Sequence, residues 1–164
     1  MAEDAPKTCF PPVVNAATRV LILGSLPGEA SLLAAQYYAH PRNQFWLLLG
    51  AILDEDLVAL DYPSRLQCLL AHHVGLWDVI AEARRQGSLD AAIREQRHND
   101  LQALVMALPQ LRAIGFNGAT AYRAADSIQQ DGLIKLALPS SSPAYTLAFA
   151  QKLARWQGLR PYLV

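Results

Sequence analysis

Hydrophobic positions in this chain fall in short bursts separated by turn-forming residues. The first burst is RVLIL at residues 19–23, β-branched and apolar without a polar interruption and closed by Gly24. That pattern predicts a strand buried on both faces. Gly24-Ser25-Leu26-Pro27-Gly28 is a turn by composition, and residues 29–36 read as a short helix. Residues 43–53 predict a second helix, with Trp46, Leu47, Gly50 and Leu53 spaced for one face. A third helix is expected at 64–72, followed by a short strand at 74–77. Residues 100–108 form an amphipathic helix stopped by Pro109. A strand follows at 111–116, then an Asn117-Gly118 turn and a helix at 119–129. The last strand is expected at 133–138. PSSSPA then opens a C-terminal helix to about 157, with Ser142 capping it and Pro143 in the first helical position.

Strands alternating with helices argue for an α/β chain, a three-layer α/β/α sandwich around a mostly parallel four-stranded sheet. No repeat, low-complexity segment or linker divides it, so residues 1–164 are read as one domain with residues 1–10 as a flexible tail. Ligands of such folds sit outside the carboxyl ends of the strands. Three polar, turn-rich segments, GSLPG, FNG and LPSSSPA, follow three of the predicted strands. If the sheet is parallel they gather on one rim, together with QYYAHPRNQFW (residues 36–46) just downstream of the first.

Composition narrows the function classes. About half of the 164 residues are apolar (52%) and 17% are charged, which predicts a folded globular chain. Lys plus Arg and Asp plus Glu balance at 14 each, so no overall field attracts nucleic acid. A nucleic-acid reading therefore requires uneven charge, with Arg42 and other cations on the motif-bearing rim and acids elsewhere. Cys9 and Cys68 form no CxxC pair and are expected as reduced thiols in a cytoplasmic protein. The acidic, polar start MAEDAPKT is unlike a signal peptide, and no apolar run approaches the ~20 residues of a membrane helix. A soluble monomer is expected.

Several chemistries lack their residues. There is no HExxH or CxxC, and His40 and His98 are isolated while His72-His73 close a helix, so no metal site is expected. GxSxG and the phosphate-loop Lys-Ser/Thr pair are also absent. Asp54-Glu55-Asp56 reads as a solvated turn and Arg84-Arg85 as a solvated face.

GSLPG, with glycines around a proline, lets backbone N–H groups approach a ligand or simply makes a tight turn. PSSSPA offers hydroxyls beside a helix start, suited to phosphate or to plain capping. Asn117 at a strand end can bond a base edge or merely turn the chain. In QYYAHPRNQFW, Tyr37 and Tyr38 cannot both be buried without partners for their hydroxyls, so at least one is expected to face a pocket. An aromatic face there stacks a nucleobase, worth ~1–3 kcal/mol. Asn43 can hold a water or a base edge and Arg42 can reach a phosphate, whereas Phe45 and Trp46 are expected in the core.

LGSLPG followed by YYAHPRNQFW resembles the first motif of the uracil-DNA glycosylase superfamily, and LPSSSPA resembles its second. GLWDV (residues 75–79) and FNGATAY (residues 116–122) resemble the two intervening strand ends, and the matches run in order over about residues 18 to 160. Two positions depart from other branches. Ser25 stands where they carry a water-positioning Asn or Asp, and Leu138 where they carry a His or Asn beside the departing base. The combination is most like the hypoxanthine-DNA glycosylase branch. The resemblance implies excision of a deaminated base, most like hypoxanthine, from damaged DNA, without cofactor or metal. It implies Asn43 and Asn117 as catalytic and Ser25, Leu26, Tyr38, Asp78 and Phe116 as base-binding. It implies DNA contacts from Gly28, His40, Arg42, Pro139, Ser140, Ser141 and Ser142. No lysine near the motifs suggests a Schiff-base lyase step. Uracil or mismatch excision, a non-catalytic nucleic-acid-binding module and a small-molecule hydrolase are the competing readings.

Overall fold

The apolar bursts become strands in the computed structural model, which describes residues 6–164. Four of them form one parallel sheet. β2 (Val20–Gly24) lies between β3 (Val74–Asp78) and β6 (Ala113–Asn117), and β7 (Ile134–Leu138) pairs on the far side of β6. Every residue of β2 is buried, as a strand covered on both faces demands.

Successive side chains of a strand point to opposite faces, and this alternation divides the core in two. Val20, Ile22, Val74, Leu76 and Ala113 pack on one face beneath α2 (Phe45–Leu53), α3 (Tyr62–Ala71) and α6 (Phe149–Trp156). Leu21, Leu23, Ile114 and Phe116 pack on the other beneath α4 (Leu101–Met106) and α5 (Ala119–Tyr122). This is the expected three-layer sandwich. Local chemistry sets the helix ends: Asp61 caps α3 by accepting from Ser64 N–H, with Pro63 in the first turn, and Asp100 caps α4 through Ala103 N–H.

The structure departs from the sequence reading in several places. A second, antiparallel sheet is present: β1 (Lys7–Thr8), β4 (Ile80–Arg84) and β5 (Arg94–His98). Of the expected flexible tail, residues 1–5 lie outside the described residues, while Lys7 and Thr8 pair with Ala83 and Glu82 and Cys9 N–H donates to Ala81 O. Exchange of backbone hydrogen bonds with β4 holds that segment down. The helix expected at 119–129 is one turn, α5, followed by a 3-10 turn at Ala125–Ser127. Asn117 ends β6 rather than opening a turn.

The C-terminal helix starts at Phe149, not at PSSSPA. Ser142 caps no helix there; its Oγ accepts from Ala144 N–H in a local turn. Residues 139–148 instead form a loop across the top of α6, secured by Trp156, which is fully buried, stacks edge-on to Phe45 and donates from Nε1 to Pro139 O at 2.8 Å. Trp156→Phe orphans that carbonyl, a loss of about 1–3 kcal/mol, and leaves a cavity where the larger indole packed, which adds to it. Urea denaturation is expected to show a decrease of at least that size; an unchanged midpoint would mean that neither the bond nor the packing of Trp156 secures the loop.

Candidate functional site

β2, β3 and β6 end side by side at Gly24, Asp78 and Asn117. Above them lies a cavity of ≈ 420 Å³. GSLPG forms one wall, Tyr37, Tyr38, His40 and Asn43 another, and residues 140–145 a third, with Asp78 and Asn117 among the lining residues. The three strand-end turns and the aromatic run therefore meet on one rim.

The floor is set by an absence. Gly24 pairs with Asp78 across the parallel ladder, so both point to the same face. A methyl on Gly24 would lie 2.6 Å from Asp78 Oδ1 and 2.8 Å from Tyr38 Oη. Glycine leaves that volume to the carboxyl and the phenol. Tyr38 stacks on Phe45 with ring centroids 3.9 Å apart and adopts the left-handed backbone conformation (φ 54°), which aims its ring back over the strand ends. Its hydroxyl is buried and has no hydrogen-bond partner. Burial first, then Asp78, push its pKa above the ordinary tyrosine range, and the neighbouring Asn117 amide opposes them. Tyr37, by contrast, is buried with its hydroxyl bonded to Pro11 O at 3.0 Å. Tyr38 is thus the tyrosine left without a partner, and Phe45 and Trp46 sit in the core.

Asn43 precedes α2 and its Oδ1 accepts from Phe45 N–H at 3.0 Å. That donor fixes which atom of the amide is oxygen. Asn117 is clamped to the opposite loop: its Oδ1 accepts from Ser141 N–H and its Nδ2 donates to Ser141 Oγ, each at 2.9 Å. A carboxamide keeps one further N–H and one lone pair after two such bonds.

Asp78 is 4% exposed and its Oδ2 has no partner. Burial, assisted by the Asp90 carboxylate and opposed by the Arg85 guanidinium, raises its pKa to about 7. Arg85 itself is buried, bonds Pro27 O and lies 3.6 Å from Asp90 Oδ1. Ser25 Oγ donates to the same Asp90 oxygen at 2.7 Å, and Ser88 Oγ accepts from Glu29 N–H. The GSLPG turn, which leads into α1 (Glu29–Ala34), is therefore braced by residues 85–90.

Some expected site residues lie elsewhere. Phe116 is fully buried and meets Tyr122 edge-on in the opposite core cluster, because strand alternation turns it away from the face that Asn117 shares with the cavity. Pro139 is buried, its carbonyl taken by Trp156. Ser141 is 1% exposed and serves as the clamp just described. Arg42 is exposed beside the rim but is not among the cavity-lining residues. Ser25, Leu26, Gly28, His40, Ser140 and Ser142 line the cavity.

The cations expected on the motif-bearing rim do not reach the cavity lining. Asp78 and Asp90 are its Asp/Glu side chains, and no Lys or Arg belongs to it. Arg85 is no solvated residue but the partner of Asp90. Lys152, on the helix that follows LPSSSPA, is buried beneath the third wall, its Nζ donating to Ser142 O at 3.2 Å and lying 5.5 Å from the Tyr145 ring centroid. Burial lowers its pKa. Among the described residues Glu55, Cys68 and His72 alone bring three potential metal-ligand atoms within 4.8 Å of one another, on the surface away from the cavity, where His72 Nε2 pairs with Glu55 Oε1 at 3.0 Å. No described helix is long and apolar enough to cross a membrane.

Sequence reasoning missed Ser88, Leu89 and Asp90, which line the cavity, and Leu89 and Tyr145, which stand 60% and 47% exposed at its mouth. The alternation in IAEAR, followed by the turn residues QGS, was the available signal for a hairpin here. For Lys152 the signal was its place in the apolar stripe Phe149, Leu153, Trp156.

An acid whose folded pKa lies above its unfolded 3.8 adds stability at low pH and loses it as pH rises toward about 7. Asp78→Asn removes that penalty. Its unfolding free energy is expected above the wild type's at pH 8, by an amount on the order of a few kcal/mol, with a correspondingly higher thermal midpoint and the difference shrinking toward pH 4. Calorimetry across that range checks it; a pH-independent difference would place the Asp78 carboxyl in an ordinary environment.

Comparison with known proteins bears on the same segments. The family model of the uracil DNA glycosylase superfamily matches residues 11–160. A Methanosarcina barkeri protein named hypoxanthine DNA glycosylase is 38% identical over 150 residues, covering 92% of this chain and 95% of that protein. A protein of the same name from Methanosarcina acetivorans is 37% identical over 153 residues, covering 93% and 97%. A solution NMR structure of a Methanosarcina acetivorans protein, provisionally described as a uracil DNA glycosylase, superposes with a TM-score of 0.87 at 36% identity, covering 97% of this chain and 99% of that one.

Proposed function

This chain belongs to the uracil-DNA glycosylase superfamily, and we propose that it is a monofunctional DNA glycosylase that releases hypoxanthine from DNA in base excision repair. The observation that carries the reading is the convergence of Tyr38, Asn43 and the GSLPG turn on one cavity. A base inside a duplex is out of reach, so such an enzyme must extrude it at a cost of a few kcal/mol. Tyr38, already rigid on Phe45, offers its other ring face to the extruded base and recovers part of that cost by stacking.

Asn43 stands at the mouth of the cavity with its oxygen oriented by Phe45 N–H, and the remaining lone pair can align water against the anomeric carbon. Charge develops on the base as the C–N bond breaks. Asn117, through its remaining N–H, and backbone N–H groups of the GSLPG turn stabilise it, on the order of 3 kcal/mol for a well-placed donor. With no Lys or Arg on the lining, phosphates beside the lesion are held by the hydroxyls of Ser140 and Ser142, since Ser141 is committed to Asn117 and the Ser142 N–H to Ser140 Oγ, with Gly28, His40 and the exposed Arg42 at the edge. Lys152 lies behind that loop and outside the cavity-lining set, so base release proceeds by water rather than through a Schiff base. The enzyme acts as a cytoplasmic monomer.

Duplexes carrying hypoxanthine, uracil or xanthine, followed by alkaline cleavage of abasic sites, separate the substrates directly. Hypoxanthine release is expected to be fastest. Asn43→Ala is expected to slow single-turnover release by ~10²-fold or more while leaving duplex affinity within about threefold. A wild type inert on every lesion yet able to bind DNA would favour a non-catalytic binding module.

A further inference from the structure

Resting on this reading of the cavity, we infer that Asp78 is the general acid of the reaction, transferring a proton to the imidazole nitrogen N7 of a departing purine. The geometry isolates it for this task. Its carboxyl occupies the space that Gly24 leaves open, at the back of the cavity; its Oδ2 is buried without a partner, and so is the nearby Tyr38 hydroxyl. Two orphaned polar groups at the closed end of a cavity lined by a stacking ring are unfavourable in the free protein. A base edge with donors and acceptors satisfies them. The catalytic assignments of Asn43 and Asn117 do not use either group.

The surrounding charges keep the acid protonated near neutrality. Asp90, from the connection after β4, disfavours a second negative charge, and Arg85 at 3.6 Å from Asp90 is shared with that carboxylate rather than bonded to Asp78. Tyr38, Tyr37 and Cys9 face Asp78 from the other sides and supply no positive charge; each is itself held in its neutral form by burial and by Asp78. The resulting pKa of about 7 matches a general acid to physiological pH.

The step balances without a further reagent. As the C1′–N9 bond breaks, its electron pair passes into the purine ring while the Asp78 proton moves to N7, so the base leaves neutral. Water adds its oxygen to C1′, and the proton it releases restores Asp78 through solvent. A pyrimidine has no counterpart of N7, so Asp78 favours purine lesions over uracil at the chemical step.

Single-turnover release from deoxyinosine duplexes, measured from pH 5.5 to 9, tests the assignment. The wild-type rate is expected to fall above a limb near pH 7, approaching tenfold per pH unit. Asp78→Asn is expected to lose ~10²-fold at pH 6 and to show no limb, with affinity for an abasic-site duplex unchanged within about threefold. On duplexes carrying 7-deaza-deoxyinosine, which lacks the basic nitrogen, the wild type and Asp78→Asn are expected to differ by less than about threefold. A rate for Asp78→Asn close to wild type, a surviving limb, or an undiminished difference on the 7-deaza substrate overturns the inference while leaving hypoxanthine excision intact. Failure of the wild type to release hypoxanthine at all overturns the functional reading as well.

Discussion

The cavity depends on one buried residue that joins three separate segments. Ser141 gives its N–H to Asn117 Oδ1, takes a bond from Asn117 Nδ2 on its Oγ, and accepts Gln44 N–H on its carbonyl. These bonds tie the end of β6 to the 139–148 loop, and that loop to the start of α2, where Asn43 and Tyr38 are set. At 1% exposure they compete with no water, so each is strong and directional. The opposite wall is braced in the same way by buried Arg85, which holds the GSLPG turn through Pro27 O and Asp90. Neither brace belongs to a regular element. Each replaces the hydrogen bonds that a strand or helix would have supplied to irregular backbone.

Within this frame the site carries unfavourable features that a core would not retain. Tyr38 has φ 54°, its hydroxyl and Asp78 Oδ2 lack partners, and Asp78 resists ionisation. Strain and unsatisfied polar groups of this kind persist only where the surroundings over-determine them. Here the surroundings are the stack on Phe45, the fully buried strand ends and the two braces. The stability sacrificed at these atoms becomes binding and catalytic energy in the proposed reaction, since the same groups gain partners only when a base enters.

Neutral net charge changes how such a protein would hold a polyanion. Long-range attraction is weak, and the cavity itself is acidic rather than basic. Arg85 and Lys152, set against its walls, are buried and committed to protein groups, so their contribution is to fix the walls and offset nearby negative charge, while Arg42 stands exposed at the edge. In the proposed complex, contacts to phosphate would then rest on hydroxyls such as those of Ser140 and Ser142, which are sensitive to position and tolerate little misplacement. That is consistent with the amount of structure spent on holding residues 139–148 in place.

Much of this was readable from the chain alone. Uninterrupted apolar runs such as VLIL must be buried on both faces, so the parallel sheet and its two helical layers follow from hydrophobic period and from the glycines, prolines and asparagines between the runs. The order of the motifs placed Tyr38, Asn43, GSLPG and PSSSPA near one another, because parallel strands deliver their carboxyl ends to one edge. Other features came only with the tertiary structure. Strand phase sent Phe116 to the opposite core and Asn117 to the cavity, and no local pattern reveals which of two adjacent residues faces a ligand. Helix capping chemistry pointed to Ser142, but the competing bonds of Ser141 to Asn117 and of Trp156 to Pro139 kept that stretch out of a helix. The states of Arg85, Asp78 and Lys152 were likewise decided by distant neighbours. Burial and electrostatic partnership are sums over groups far apart in the chain, whereas sequence records only what each residue can do by itself.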